Sequence, residues 1–252
     1  MDAVLDSYTD GVYTITLNRP EKKNAMDYDL LKGLYDALKR ADAEKPPLIV
    51  LRGAGKAFCS GGDIMAFKKA ENAEALIDKE AAILNESIKL IRYSGSIVIA
   101  VIEGVAVGAG VGLGLACDLS IATRKSIMNM AYRRIGLSPD GGGSFFLPRL
   151  VGAKRFNELY LLSQNIDMTK AMELGLVNIV CDDEALEETL NKTIKDLKAL
   201  PFETIKYFKD LVNASLFFGL DSHLDKERFY VAELAREPLF KERIEAFLSK
   251  KK

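Results

Sequence analysis

Four glycines at alternate positions, Gly108, Gly110, Gly112 and Gly114, follow a short β-branched run and a Glu103-Gly104 step. Residues with little or no side chain at a helix start let a ligand oxygen reach backbone N–H groups that have no acceptor within the helix, at the positive end of its dipole. Such a place can hold an oxyanion, although close packing explains any one glycine equally well. A second stretch of small residues, from Arg52 through Gly53 and Gly55 to Ser60, Gly61, Gly62 and Asp63, also follows an apolar run. One N–H polarises a carbonyl, whereas two facing N–H groups hold an enolate. A further glycine-dense loop, Gly136 to Ser144, contains a single acid, Asp140. Taken alone, Pro139-Asp140-Gly141 is an ordinary turn signal.

Other chemistries fail on spacing. A dinucleotide fingerprint begun at Gly108, Gly110 or Gly112 needs its third glycine where Leu113, Leu115 or Cys117 stands. The phosphate-loop pattern fails because Ala57 follows Gly55-Lys56. Cys59, Cys117 and Cys181 are widely spaced and form no C-x-x-C pair, so neither a disulfide framework nor a metal site is expected. His223 is the only histidine, so a Ser-His-Asp or Cys-His mechanism could rest on no other.

The elements that must position these loops read as alternating strands and helices. Gly11 to Asn18 alternates as a half-exposed strand does, and Arg19-Pro20 ends it. Asp27 is placed to cap an amphipathic helix bearing Leu30, Leu31, Leu34 and Leu38. Leu48–Leu51 and Ile97–Ile102 read as buried strands, and Asp118–Thr123 and Val177–Val180 as further short ones. Glu71 to Arg92 reads as a helix with Ile77, Leu84, Ile88 and Ile91 as its core stripe, and Asp63 as the cap of the helix after Gly62. Helices are also expected over 154–162, 169–174, 183–200 and from Pro201 onward. The pattern predicts an α/β core domain over 1–198 and an α-helical region over 199–252.

With 252 residues, 28% of them charged, and a net charge of −1, the chain can bury a large core and offers no field for nucleic acid. No cationic leader or uninterrupted apolar span is visible, so a soluble cytoplasmic protein without membrane attachment is expected.

These motifs together resemble the crotonase, or enoyl-CoA hydratase/isomerase, family. The resemblance is carried by Ile15 to Pro20 with Asn24-Ala25, Val50 to Gly53 with Lys56 to Ile64, Ile99 to Gly104 through Gly108-Ala109-Gly110 to Cys117-Asp118, Gly136 to Pro139, Leu150 to Gly152, and Ala171 with Gly175 to Val177. It implies a spiral of β-β-α units, a C-terminal helical region used in a trimer or dimer of trimers, and an acyl-CoA thioester as substrate, with no separate cofactor and no metal. By motif position, the backbone amides of Ser60 and Ala109 would hold the thioester oxygen. Lys22 and Lys23 would meet the CoA phosphates. The wider binding surface would take in Ala25, Ala57, Phe58, Gly61, Gly62, Asp63, Ile64, Gly108, Gly110, Tyr132, Leu137, Pro139 and Phe145.

Departures from the family pattern narrow the reaction. Where its hydratases carry two glutamates, this chain has Gly112 and Tyr132, and no carboxylate lies between Leu119 and Pro139. Asp140 remains, where isomerase-type members place an acid, in a context similar to the ring-opening isomerases of phenylacetate breakdown and the Δ3,Δ2-enoyl-CoA isomerases. One carboxylate suffices to shift a double bond by taking a proton from one carbon and returning it to another. An apolar lining from Phe145, Phe146 and Leu137 is expected to raise its pKa. The alternatives are a hydratase, with Asp63 or Glu103 as the extra acid, and a silent acyl-CoA binder. A dehalogenase fits less well, since the chain has no Trp and its one His lies late.

Overall fold

The computed structural model describes residues 2–249. A hairpin opens the chain: β1 (Val4–Thr9) and β2 (Val12–Leu17) pair antiparallel. Its turn, Asp10-Gly11, has both residues at positive φ, which is the conformation a two-residue hairpin needs. A single 3-10 turn then leads to Asp27, whose side chain accepts from the Leu30 amide and caps α1 (Tyr28–Glu44), a contribution of about 1 kcal/mol. The chain continues through β3 (Leu48–Gly53), α2 (Ile64–Lys69), α3 (Ala73–Tyr93), β4 (Ile97–Ile102), β5 (Val105–Val107), α4 (Ala109–Ala116), β6 (Leu119–Thr123) and β7 (Ile127–Asn129). Next come α5 (Gly143–Leu162), β8 (Ile166–Asp167), α6 (Met168–Glu173), β9 (Ile179–Cys181), α7 (Leu186–Lys198), α8 (Phe202–Leu216), α9 (Leu220–Arg236) and α10 (Pro238–Ser249).

Six strands form the main sheet in the order β1-β2-β3-β4-β6-β9, parallel after the first pair, and β5-β7-β8 form a smaller sheet. The parallel strands are buried on both faces, which is why Ile97–Ile102 is an unbroken apolar run. Its residues divide with period two: Val98, Ala100 and Ile102 face the core shared with α1 and α3, while Ile99 and Val101 face Leu186 and Leu190 of α7.

The C-terminal helices do not form a free appendage. Along α3 runs α9, joined by the Asn85 amide donating to the Leu224 carbonyl at 2.9 Å and by the Arg228–Asp78 ion pair at 2.7 Å. Two differences from expectation stand out. Strand β1 has a mostly exposed, polar pattern, and β9 begins two residues later than expected. The helix expected over 154–162 begins earlier, as part of α5, which is broken at Gly152 by φ 76° and ψ 160°; the other expected helices are present with small shifts at their ends. Among the described residues no helix is long and apolar enough to cross a membrane.

Candidate active site

Where the two small-residue loops meet the Gly136–Ser144 loop there is a cavity of about 770 Å³ of empty space, its solvent mouth included. Ser60, Gly61, Gly62 and Ile64 form one wall, Gly108 and Ala109 the next, and Tyr132, Leu137 and Asp140 a third. Nine of the expected site residues are therefore brought together.

Asp140 lines this cavity, with its carboxyl held by Tyr132. Tyr132 Oη donates to Asp140 Oδ1 at 2.8 Å and lies 3.1 Å from the Asp140 carbonyl oxygen. Burial pushes the carboxyl up to about 6, against the opposing pull of the Tyr132 hydrogen bond. The same burial, with Asp140 alongside, raises the Tyr132 phenol well above its ordinary value, so it stays a donor. Behind Asp140, Glu227 of α9 accepts from the Gly142 amide at 2.7 Å and from the Ser144 amide and hydroxyl at 2.8 and 2.5 Å. That carboxylate satisfies the orphan amides at the start of α5 and ties the loop to the C-terminal helices.

The Ala109 amide opens α4 and has no acceptor within its helix. Gly108 precedes it with φ 55° and ψ −125°, a conformation open to glycine. Only Gly108 among the four alternating glycines lines the cavity. Two of the other three serve packing: a Cβ on Gly110 would lie 2.7 Å from the Cys59 carbonyl oxygen and one on Gly112 would collide with the Gly141 carbonyl, whereas one on Gly114 would make only an ordinary contact with Ile102 at 3.5 Å. Close packing accounts for two of the four glycines, and ligand approach for no more than Gly108.

Two expectations need correction. The Ser60 amide is not an open donor, because it donates to the Lys23 carbonyl at 3.0 Å, while Ser60 Oγ donates to the Lys22 carbonyl at 3.2 Å. Lys23 sits in the left-handed region at φ 53°, and that turn brings its carbonyl over Ser60. Phe145 and Phe146 do not line the cavity. The first turn of α5 carries them to the opposite side, where Phe145 packs on Phe146, Phe217 and His223 and lies under the Arg149 guanidinium. Of the three expected apolar neighbours, only Leu137 faces Asp140's cavity.

The remaining expected binding residues stand outside the cavity wall. Lys22 pairs with Asp63 at 2.9 Å, and Lys23 is exposed. Asp63 caps α2 by accepting from the Met65 and Ala66 amides. Burial would raise its pKa, but Lys22, Arg19 and the Ala66 amide outweigh that and hold it low. Ala25 and Ala57 are buried and give their carbonyls to Arg19 and Asn24. Phe58 is a core residue, and Gly110 and Pro139 stand behind the wall. Glu103 pairs with Arg52, so neither extra acid considered for a hydratase enters the cavity.

One functional candidate escaped the sequence reading. Glu80 of α3 lines the cavity beside Ile77, Ala81 and Leu84, and burial pushes its carboxyl up to about 8, with Asp27, Asp63 and Asp140 adding to the rise.

The family model described as enoyl-CoA hydratase/isomerase matches residues 7–252. The chain belongs to that family. It is 32% identical to the 1,2-epoxyphenylacetyl-CoA isomerase of Escherichia coli (strain K12), covering 100% of this chain and 97% of that protein. It is 31% identical to the trans-2-decenoyl-[acyl-carrier-protein] isomerase of Streptococcus mutans, covering 99% and 96%. The crystal structure of an enoyl-CoA hydratase from Bacillus halodurans superposes with a TM-score of 0.90 at 28% identity, covering 97% of this chain and 99% of that one. The chain therefore has the crotonase fold and is an enzyme of the enoyl-CoA hydratase/isomerase class.

Proposed function

We propose that this enzyme is an enoyl-CoA isomerase that moves a double bond from the β,γ to the α,β position of an acyl-CoA thioester. The observation that carries the reading is that Asp140 and Ala109, the residue that opens α4, line the same cavity. The backbone keeps the two close: a Cβ on Gly141, the next residue, would lie 3.6 Å from Ala109 Cβ.

In the proposed reaction the Asp140 carboxylate removes a proton from the α carbon. The C–H electron pair becomes part of a dienolate, whose negative oxygen accepts from the Ala109 amide. The Ser60 amide joins by exchanging the Lys23 carbonyl for that oxygen. Asp140, now protonated, returns the proton to the γ carbon, and the electrons settle as the conjugated α,β double bond. Nothing is oxidised or reduced overall, so the thioester is the only reactant and no separate cofactor is called for. A carboxyl near pKa 6 suits both halves of the step, because it is mostly ionised at neutral pH and still a usable acid when protonated.

Hydration is the alternative activity, and the positions where the family's hydratases hold their two acids are Gly112 and Tyr132 here. Ultraviolet absorbance separates the readings. A 3-enoyl-CoA gains absorbance on conjugation, a 2-enoyl-CoA loses it on hydration, and a silent binder changes neither. Asp140→Asn is expected to reduce the gain by about 10²- to 10⁴-fold, and an undiminished rate would overturn the assignment. The acyl group is taken to be aliphatic or ring-derived, since Met26, Leu31, Phe67 and Leu84 offer it an apolar wall. A homotrimer or a dimer of trimers in the cytoplasm completes the proposal. It is supported by the exposed apolar residues Phe208, Leu211 and Phe218, at 65%, 69% and 75%.

A further inference from the structure

The stripe of α3 that faces the cavity runs Ile77, Glu80, Ala81, Leu84, at the i, i+3, i+4, i+7 spacing of a continuous helix face. Three of the four are apolar, as expected for a surface that receives a hydrocarbon. The fourth is an acid that is only 5% exposed. Its Oε1 is fully buried and has no hydrogen-bond partner among the described residues. Protein interiors contain few such atoms, since an unpaired buried polar group is costly, and each one calls for a reason.

The chemistry of the missing partner follows from the groups present. Burial pushes the Glu80 carboxyl upward, and the acids Asp27, Asp63 and Asp140 add to that rise against the opposing pull of the Tyr28 backbone amide. Those surroundings favour the neutral acid at neutral pH. A neutral carboxylic acid has one O–H to donate. What complements it is an acceptor oxygen on whatever fills the cavity, and a plain hydrocarbon chain has none.

We propose that Glu80 is a specificity-determining residue that selects acyl groups bearing an oxygen function, such as a hydroxyl, ether, epoxide or keto oxygen, beyond the thioester. Its carboxyl donates a hydrogen bond to that oxygen and fixes how the acyl group lies against Asp140. The inference rests on the acyl-CoA reading of the cavity, but not on the direction in which the double bond moves. A site built to hydrogen-bond a substrate oxygen discriminates strongly against an analogue that lacks it, because its own polar group is then left unpaired.

Binding of unreactive thioesters tests this apart from catalysis. Dissociation constants of octanoyl-CoA and of hydroxyoctanoyl-CoAs, the hydroxyl moved outward carbon by carbon, are measured by titration calorimetry on the intact protein. At least one hydroxylated thioester is expected to bind about tenfold more tightly than octanoyl-CoA, the equivalent of one good hydrogen bond. Glu80→Met is expected to bind the two equally, and Glu80→Gln, which still carries a donor, to keep part of the preference. Thermal unfolding of both variants, and of each with octanoyl-CoA added, shows that the cavity is intact. Octanoyl-CoA binding with no preference for any hydroxylated form overturns the inference alone, as does a preference that survives in Glu80→Met. Failure of every thioester to bind overturns the acyl-CoA reading, and this inference with it.

Discussion

Tyr132 Oη donates to Asp140 Oδ1 at 2.8 Å, so the residue that the family resemblance sets at a hydratase's second acid is here a donor to the remaining one. That bond opposes the rise in pKa that burial imposes on Asp140. Tyr132→Phe removes it, and the Asp140 pKa then climbs from about 6. On the proposed reaction the base must be ionised, so the acid limb of the kcat/KM profile is expected to shift to higher pH by up to about one unit. A pH–rate series on both proteins reads this directly, and an unmoved midpoint would mean the phenol does not stabilise the carboxylate.

The same carboxyl makes a prediction about stability. Its folded pKa of about 6 stands above its ordinary value of 3.8, so between those values the folded state binds more protons than the unfolded one. Stability therefore falls as pH rises through that window and stays lowered above it, by on the order of 2–3 kcal/mol. Asp140→Asn removes the ionisable group. Its stability relative to the parent is expected to improve from pH about 4 to about 7, as measured by urea unfolding at each pH. A difference that does not vary with pH would contradict the raised pKa.

Glu227 supports the Asp140-bearing loop from behind. It is 4% exposed and accepts three hydrogen bonds from Gly142 and Ser144. Glu227→Ala leaves those donors unpaired and is expected to cost about 3 kcal/mol in chemical denaturation, with a fall in kcat larger than the change in KM. Glu227→Gln, which keeps one acceptor oxygen, should recover part of both. Equal stability of the alanine variant and the parent would rule out the tether.

Restoring the hydratase glutamate at position 112 is expected to fail. A Cβ there would collide with the Gly141 carbonyl oxygen and lie 2.9 Å from its carbon, so Gly112→Glu must push aside the turn that carries Asp140. The expected outcome is a protein about 1–3 kcal/mol less stable, with less isomerisation and no gain in hydration. Water addition to a 2-enoyl-CoA, followed by loss of absorbance, is the measurement, and a gain in that rate would refute the steric argument.

The exposed face of α8 predicts assembly. Light scattering is expected to report about three times 27.8 kDa or a multiple of it, and Leu211→Glu, at a side chain 69% exposed, to reduce that mass. A parent protein that runs as a single chain would remove the trimer from the proposal.

Much of this architecture could be read from residue order, because it depends on local rules. The apolar run at Ile97–Ile102, the caps Asp27 and Asp63 and the α3 stripe are each specified by a few neighbouring residues. The meeting of Ser60, Ala109 and Asp140 at one cavity came from the family resemblance, not from local pattern. Strand β1 was missed because its side chains are mostly exposed and polar, although Asp10-Gly11 marks a hairpin turn. Phe145 was misplaced because nearness in sequence stood in for nearness in space, and a helix turn between them reversed its direction. Glu80 was legible in principle as an acid breaking an apolar helix face, but its lack of a partner exists only in the packed molecule. The Lys23–Ser60 hydrogen bond depends on a left-handed lysine that no spacing rule announces.

That last contact sets a threshold for what the site will hold. With its amide already donating to a peptide carbonyl, Ser60 gains from a newcomer only the difference between two acceptors. A resting thioester oxygen is no better an acceptor than the lysine's own carbonyl and has little power to dislodge it. An oxygen bearing most of a negative charge forms a bond roughly twice as strong and wins the exchange. On the proposed reaction, the chain's own backbone would then act as a built-in competitor, filtering neutral oxygens from charged ones and reserving the second donor for the moment the enolate forms.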